Sequence, residues 1–162
     1  MAILPNISDQ FGMQFEAGHR IDTDWCTVRL VMYRYSEQSN QFESWLAVEP
    51  GIHQTDLQTL IRKLGTFQGA ADASANFDFE PFVEPSFQFA LERIPHNEDY
   101  CRVATLAIDV VGVVKFNVPS AYRENRITLR FHTDEQRLRT FIDELLRELK
   151  AVMQEPPRAV KL

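Results

Sequence analysis

The sequence predicts an α+β fold, a mainly antiparallel sheet with two amphipathic helices, and three observations carry that prediction. Segments of alternating polarity come in succession on both sides of a first helical stripe, leaving too few helices to cross over between parallel strands. Residues 126–153 run from an alternating segment through a turn into a second helical stripe. An earlier segment repeats that order at an offset of 81 residues, pairing Leu46 with Ile127, Val48 with Leu129, Leu57 with Leu138, Leu60 with Phe141, Ile61 with Ile142 and Leu64 with Leu145. Two related halves, 11–67 and 75–153, are one reading of this echo, and two strand, turn and helix units that share a loop length are the other. Under either reading the 162 residues make a single domain, 1–162, large enough to bury about 70% of the unfolded chain's surface.

Taken in order, residues 1–10 read as a lead-in and 11–15 as a short strand entering a turn that contains Gly18. From Cys26 to Tyr35, Val28, Leu30 and Met32 alternate with Arg29, Val31 and Tyr33. Val31 and Tyr33 make the second face partly apolar, so a central strand is expected. Ser36 to Asn40 is a polar turn, and Phe42, Leu46 and Val48 then alternate with Glu43, Trp45 and Glu49 as a hairpin partner that Pro50 and Gly51 stop. Leu57, Leu60, Ile61 and Leu64 fall on one stripe, predicting a helix over 54–64 that Gly65 terminates. Residues 69–75 form the seam between halves.

Phe77 and Phe79, then Phe87, Phe89 and Leu91, mark two strands separated by Pro81 and Pro85. After a loop at 94–100, apolar residues at even positions from Ala104 to Val118 predict one long strand bent at Gly112, or a hairpin with Gly112 in its turn. Pro119 ends it, and Ile127, Leu129 and Phe131 mark the next strand. Leu138, Phe141, Ile142, Leu145 and Leu149 give the final helix its apolar stripe. Thr133 with Gln136 fits a capping box, and Asp134 and Glu135 suit the positive end of a helix. A frayed tail is expected after Met153.

Composition narrows the function. The net charge of −6 and the absence of a basic run disfavour a nonspecific grip on nucleic acid, and favour either a cationic partner or simple solubility. No apolar run approaches the ~20 residues of a membrane span, and the opening M-A-I-L-P-N lacks the pattern of a secretory signal, so no membrane partner is expected and the cytoplasm is the default. Cys26 and Cys101 have no C-x-x-C spacing and read as reduced thiols. No phosphate-binding glycine motif and no G-x-S-x-G elbow occurs.

Several constellations suggest chemistry. His19 with Asp22 and Asp24 supplies ligand atoms for a divalent cation, but exposed turns use such residues to cap the chain. Asp78, Glu80 and Glu84 are paired carboxylates of the kind used in acid and base work, or a solvated face. A Cys and His pair would need Cys26 or Cys101 beside His19, His53, His96 or His132, which nothing in the spacing brings together. Asp109 interrupts an apolar strand and either needs a partner or faces solvent. Trp25, Tyr33, Tyr35 and Trp45 form an aromatic interface or pack in the core.

The order D-T-D-W-C-T-V-R-L, a second strand, L-x-x-L-I-x-x-L, F-x-F-E-P, F-x-F-x-L-E, I-T-L-R-F and a closing amphipathic helix resembles the WapI-like immunity protein family, over residues 15–149. Strand and helix periodicity carries much of it, together with the Asp and Trp at Asp24 and Trp25 and the Glu and Pro at Glu80 and Pro81. The resemblance implies a small bacterial cytoplasmic protein that binds a toxin domain and blocks it, and it carries over no catalytic residue. No cofactor is expected, and the absence of a compact ligand motif predicts that no metal is required. Together with the acidic balance it points to a basic toxin domain, met by Asp22, Asp24, Trp25, Trp45, Glu80 and Glu84. The alternatives are a ligand-binding or housekeeping module and an enzyme whose site is assembled from scattered residues. A homodimer through an exposed strand edge is a further arrangement.

Overall fold

The alternating segments pair into two antiparallel sheets of the same strand order, described by a computed structural model for residues 2–5, 10–70, 76–83, 86–93, 102–103, 106–107, 110–119 and 124–156. The first sheet runs β1 (Ala2–Pro5), β2 (Phe11–Arg20), β3 (Trp25–Ser36), β4 (Gln41–Val48), with β5 (Gly51–His53) pairing the start of β3. Helix α1 (Gln54–Gly69) follows. The second sheet takes β6 (Asn76–Phe79) and β7 (Phe87–Arg93), and β8 (Arg102–Val103) and β9 (Leu106–Ala107) form a separate ladder. Then β10 (Val110–Pro119) and β11 (Glu124–Thr133) complete the sheet in the order β6-β7-β10-β11, and α2 (Glu135–Gln154) closes the fold. Two antiparallel sheets and two amphipathic helices make this an α+β fold, as the alternation predicts.

The helices cross between the sheets. Helix α2 packs over β1 and β2 of the first sheet, α1 packs on β5 and on β6 of the second, and the two helices touch. Phe15 of β2 meets Phe87 and Phe89 of β7 at ring separations of 5.9 and 6.2 Å, and Phe89 meets Phe141 of α2 at 6.1 Å. Leu60 and Phe141, the central residues of the two predicted stripes, are fully buried. Each such side chain contributes roughly 1.5–3 kcal/mol by leaving water, and one shared core joins both sheets and both helices.

Six local features differ from the sequence reading. The lead-in contains β1, whose Ala2 and Leu4 are buried against β2, a run too short to register as alternation. Strand β2 continues to Arg20 through Gly18, which lies at a register shift opposite Thr27 rather than in a turn. A Cβ there would overlap Thr27 Oγ1 and stand 2.9 Å from the Thr27 carbonyl oxygen, so this approach requires glycine. Gly51 opens the short strand β5 as well as ending the previous one. Helix α1 runs past Gly65 to Gly69, because Phe67 prolongs the buried stripe and Gly65 sits on an open helix surface.

The long strand expected from Ala104 is instead β10 beginning at Val110, because Leu106 and Ala107 pair with β8. Strand β10 passes straight through Gly112, paired with Leu91 and Phe131 without a register shift, so neither a bend nor a turn forms there. The cap of α2 is Asp134, whose carboxylate accepts from Arg137 N at 2.8 Å, whereas Thr133 is held in β11 opposite Val110 and is fully buried. Glu84, Asp109 and Cys101 lie outside the described residues.

Candidate partner-binding surface

The start of α1 gathers two acidic turns that are far apart in sequence. On one side, β2 and β3 are joined by residues 21–24, and Asp22 Oδ1 accepts from the backbone N–H groups of Asp24 and Trp25 at 2.8 and 2.9 Å. This side-chain mimic of a backbone turn uses one carboxylate oxygen to set the bend. Asp24 is exposed, and its carbonyl accepts from Gln54 N at 2.7 Å. Trp25 is half-buried and packs edge-on against His53, the residue that caps α1, at 5.3 Å.

On the other side is the loop that leaves β6. Asp56, in the first turn of α1 and only 6% exposed, accepts from Phe82 N at 3.1 Å and Val83 N at 3.0 Å, one bond to each carboxylate oxygen. The helix terminus favours a carboxylate at this position, and the two N–H donors offset its removal from water. Pro81 is buried, Glu80 is exposed, and Phe82 stands 92% exposed with Val83 beside it. Asp24, Trp25 and the 80–83 loop thus all attach to residues 53–56, a stretch of about 5 Å along the chain's helical rise.

Trp45 belongs to a different place. The β3–β4 register steps from Met32 and Leu46 to Tyr33 and Ser44, which leaves Trp45 as the extra residue of a bulge. It stands roughly 23 Å along β3 from Trp25, counting about 3.3 Å per residue, so the two tryptophans do not share one patch. The bulge also reverses the alternation, placing Phe42 opposite Tyr35 on the other face from Leu46 and Val48. Phe42, Trp45 and Tyr35 are 56%, 43% and 39% exposed, and residues 36–49 carry Glu37, Glu43 and Glu49 without a cation. Tyr33 is drawn into a network instead, its hydroxyl donating to the buried Gln14, which donates to Glu16.

Among the described residues, the candidate metal ligands His19 and Asp22 turn to other partners. The His19 ring and backbone N–H both turn to Thr27 Oγ1, at 3.3 and 3.1 Å, while Asp22 serves its own turn. Among the described residues no group of three or more His, Cys, Asp or Glu stands in a ligating arrangement. Cys26 is buried, and desolvation pushes its thiol pKa up, the opposite of an activated nucleophile. Asp78 accepts from Gln88 Nε2 at 3.1 Å, and its carbonyl accepts from Lys63 Nζ at 2.7 Å. A groove of 380 Å³ lies alongside, between α1 and β6, lined by Arg62, Lys63, Thr66, Phe67, Phe77 and Asp78. No helix among the described residues is long and apolar enough to cross a membrane.

The sequence reading missed Asp56 and Phe82. Asp56 precedes Leu60 by four residues and so falls on the buried stripe, a signal for a carboxylate with partners. Phe82 follows Pro81 and breaks the alternation of Phe77 and Phe79, which marks it as a loop aromatic.

No protein-family model and no curated protein matches the chain. Among solved structures, the plant transcriptional regulator PBF-2 aligns over 87% of this chain and 84% of its own, at 7% identity and a TM-score of 0.47. That degree of likeness is too low to assign a fold family or a function.

Proposed function

We propose that this chain is a noncatalytic binding protein of the immunity class, a cytoplasmic partner that engages and neutralises a bacterial toxin domain with a basic surface. The observation that carries the proposal is the convergence of the Asp22–Trp25 turn and the Glu80–Val83 loop at the start of α1. Asp22, Asp24 and Glu80 are exposed there beside an exposed aromatic ring, a composition that suits the acidic rim and apolar centre of an interface. The net charge of −6 adds long-range attraction for a cationic partner. Glu84 adjoins the same loop in sequence, and Trp45 would belong to a separate contact.

The experiment is affinity capture from the native cell, followed by co-expression of the captured protein with and without this chain. Protection of growth supports the proposal. Turnover of a small metabolite by the purified chain, with no partner captured, contradicts it. A ligand seated in the groove beside Arg62 and Lys63 would favour the small-ligand alternative.

A homodimer through β4 is a second arrangement, because β4 is a sheet edge among the described residues. The Trp45 bulge interrupts that edge, and Glu37, Glu43 and Glu49 would meet like charges across a two-fold. Sedimentation velocity across a concentration series distinguishes the two arrangements.

A further inference from the structure

We infer that Phe82 is a preformed anchor that seats in an apolar pocket of a protein partner, with Lys or Arg side chains around the pocket's mouth. The inference rests on the binding reading above and names the chemistry of the surface that would meet it. A phenylalanine ring that is 92% exposed gains nothing from folding, and a free loop would let it collapse onto the nearest apolar surface. Here it is held out. Both oxygens of the buried Asp56 carboxylate take the N–H groups of Phe82 and Val83, and Pro81, immediately before them, is itself buried. The backbone on either side of the ring's attachment is therefore fixed before any partner arrives.

That arrangement has a direct consequence for binding. Association ordinarily loses free energy by ordering loops and side chains, and a loop already clamped by a buried carboxylate loses less. Large aromatics in desolvated pockets dominate interface energetics, whereas the charged residues around them govern encounter and specificity. The charged side chains of residues 76–83 are Asp78 and Glu80, and the neighbouring turn adds Asp22 and Asp24. These exposed carboxylates outnumber Lys63, which bonds the Asp78 carbonyl, and Arg20, which bonds the carbonyls of Asp22 and Thr23. A complementary pocket is therefore apolar within and cationic at its rim. The same carboxylates repel an anionic lipid surface and a second copy of this chain presenting the same end.

The test replaces Phe82 by photoreactive p-benzoylphenylalanine in the full chain, irradiated in the native cell, with the same replacement at Phe42 and at the exposed Thr140 as controls. The expected result is one adduct at position 82 to a different protein, its cross-linked peptide lining an apolar pocket flanked by Lys or Arg. With that protein purified, Phe82→Ser should weaken binding by about tenfold or more, Phe82→Leu by less, and neither should move the thermal midpoint, since the ring is exposed. Absence of an adduct at 82, an adduct only to a second copy, or Phe82-dependent co-sedimentation with phosphatidylcholine vesicles overturns the inference. If charge reversal at Asp22, Asp24 and Glu80 weakens a captured partner but Phe82→Ser does not, the anchor fails while the binding reading stands. If neither change matters and no position gives an adduct, both fail.

Discussion

Arg93 grips Glu135 with two bonds, Nη2 to Oε1 at 2.8 Å and Nε to Oε2 at 3.1 Å, joining the end of β7 to the first turn of α2. The same guanidinium donates to the carbonyls of Phe67 and Ala70 at the end of α1 and lies 4.2 Å from the Phe67 ring. Neither helix has a basic residue in its last turn. Each obtains one from a strand of the other sheet or segment: Arg93 serves α1, and Arg20, at the end of β2, donates to Met153 O in the last turn of α2 at 3.4 Å and to Glu155 O just after it at 3.0 Å. A cation at each carbonyl terminus opposes the helix dipole and satisfies orphaned acceptors. Arg20 also binds the carbonyls of Asp22 and Thr23, so the candidate surface is tied to the end of α2.

Arg93→Ala should therefore be costly. It leaves Glu135 without its bidentate partner and the Ala70 carbonyl without the Arg93 donor, while Phe67 O keeps Ala70 N at 3.3 Å; Arg93 is 8% exposed and Glu135 30%. Losing charge-assisted hydrogen bonds to a carboxylate that is 30% exposed and keeps Arg139 at 3.5 Å costs about 1.5–3 kcal/mol, read as a shift of the urea midpoint. Arg139→Ala should change little, because its 3.5 Å contact with Glu135 is exposed.

Phe141→Ala should cost about 3–5 kcal/mol, as a fully buried ring touching Phe89 is lost and a cavity remains. The comparison is Phe82→Ala, which should stay within about 0.5 kcal/mol. Equal midpoints for the two variants would show that the ring burial on which the core account rests is wrong.

At Asp22 the turn and the charge can be separated. Asp22→Asn keeps an oxygen to accept from Asp24 N and Trp25 N and should leave stability nearly unchanged, whereas Asp22→Ala should lose roughly 1 kcal/mol. A partner that reads charge will be weakened by both variants, and one that reads only the turn's shape by the second alone.

The helical stripes and the two-residue alternation were legible in the sequence because burial on one face leaves a period that composition cannot hide. Leu138 to Leu149 and Phe87 to Leu91 are of this kind. The extra residue at Trp45 was not, since a single insertion in an edge strand carries no composition signature, and it inverts the face assigned to Phe42. Gly65 misled for a related reason: glycine ends a helix only where the backbone must turn left-handed, and here the stop is set after Phe67, with Arg93 waiting for its carbonyls. Arg93 shares parity with Phe87, Phe89 and Leu91, so its burial was written in the alternation. At the candidate surface, Asp22 and Asp24 were visible as acidic turn residues and Glu80 as part of an acidic face, but their meeting at α1 depends on tertiary hydrogen bonds that spacing does not encode.

Stability should fall in mild alkali because of Cys26. Burial raises its thiol pKa most strongly, Glu155 and Asp22 add to the rise, and Arg20 opposes it. The folded chain then holds this proton to higher pH than the unfolded chain, whose thiol ionises near 8.5. Below that value the group adds no slope. Above it the unfolded state loses its proton first and stability drops. In a Cys101→Ser background, urea midpoints at neutral pH and in mild alkali should diverge, and Cys26→Ala should reduce the divergence.

The central claim, that the acidic end at α1 binds a basic protein, is tested most directly by titrating the captured partner against wild type and the combined Asp24→Lys, Glu80→Lys variant over a salt series. Both residues are exposed, so the fold should survive the change. The account predicts that wild-type affinity falls as salt rises, and that the variant binds more weakly at low salt with a flatter salt dependence. Equal affinity and equal salt dependence for the two chains would contradict it.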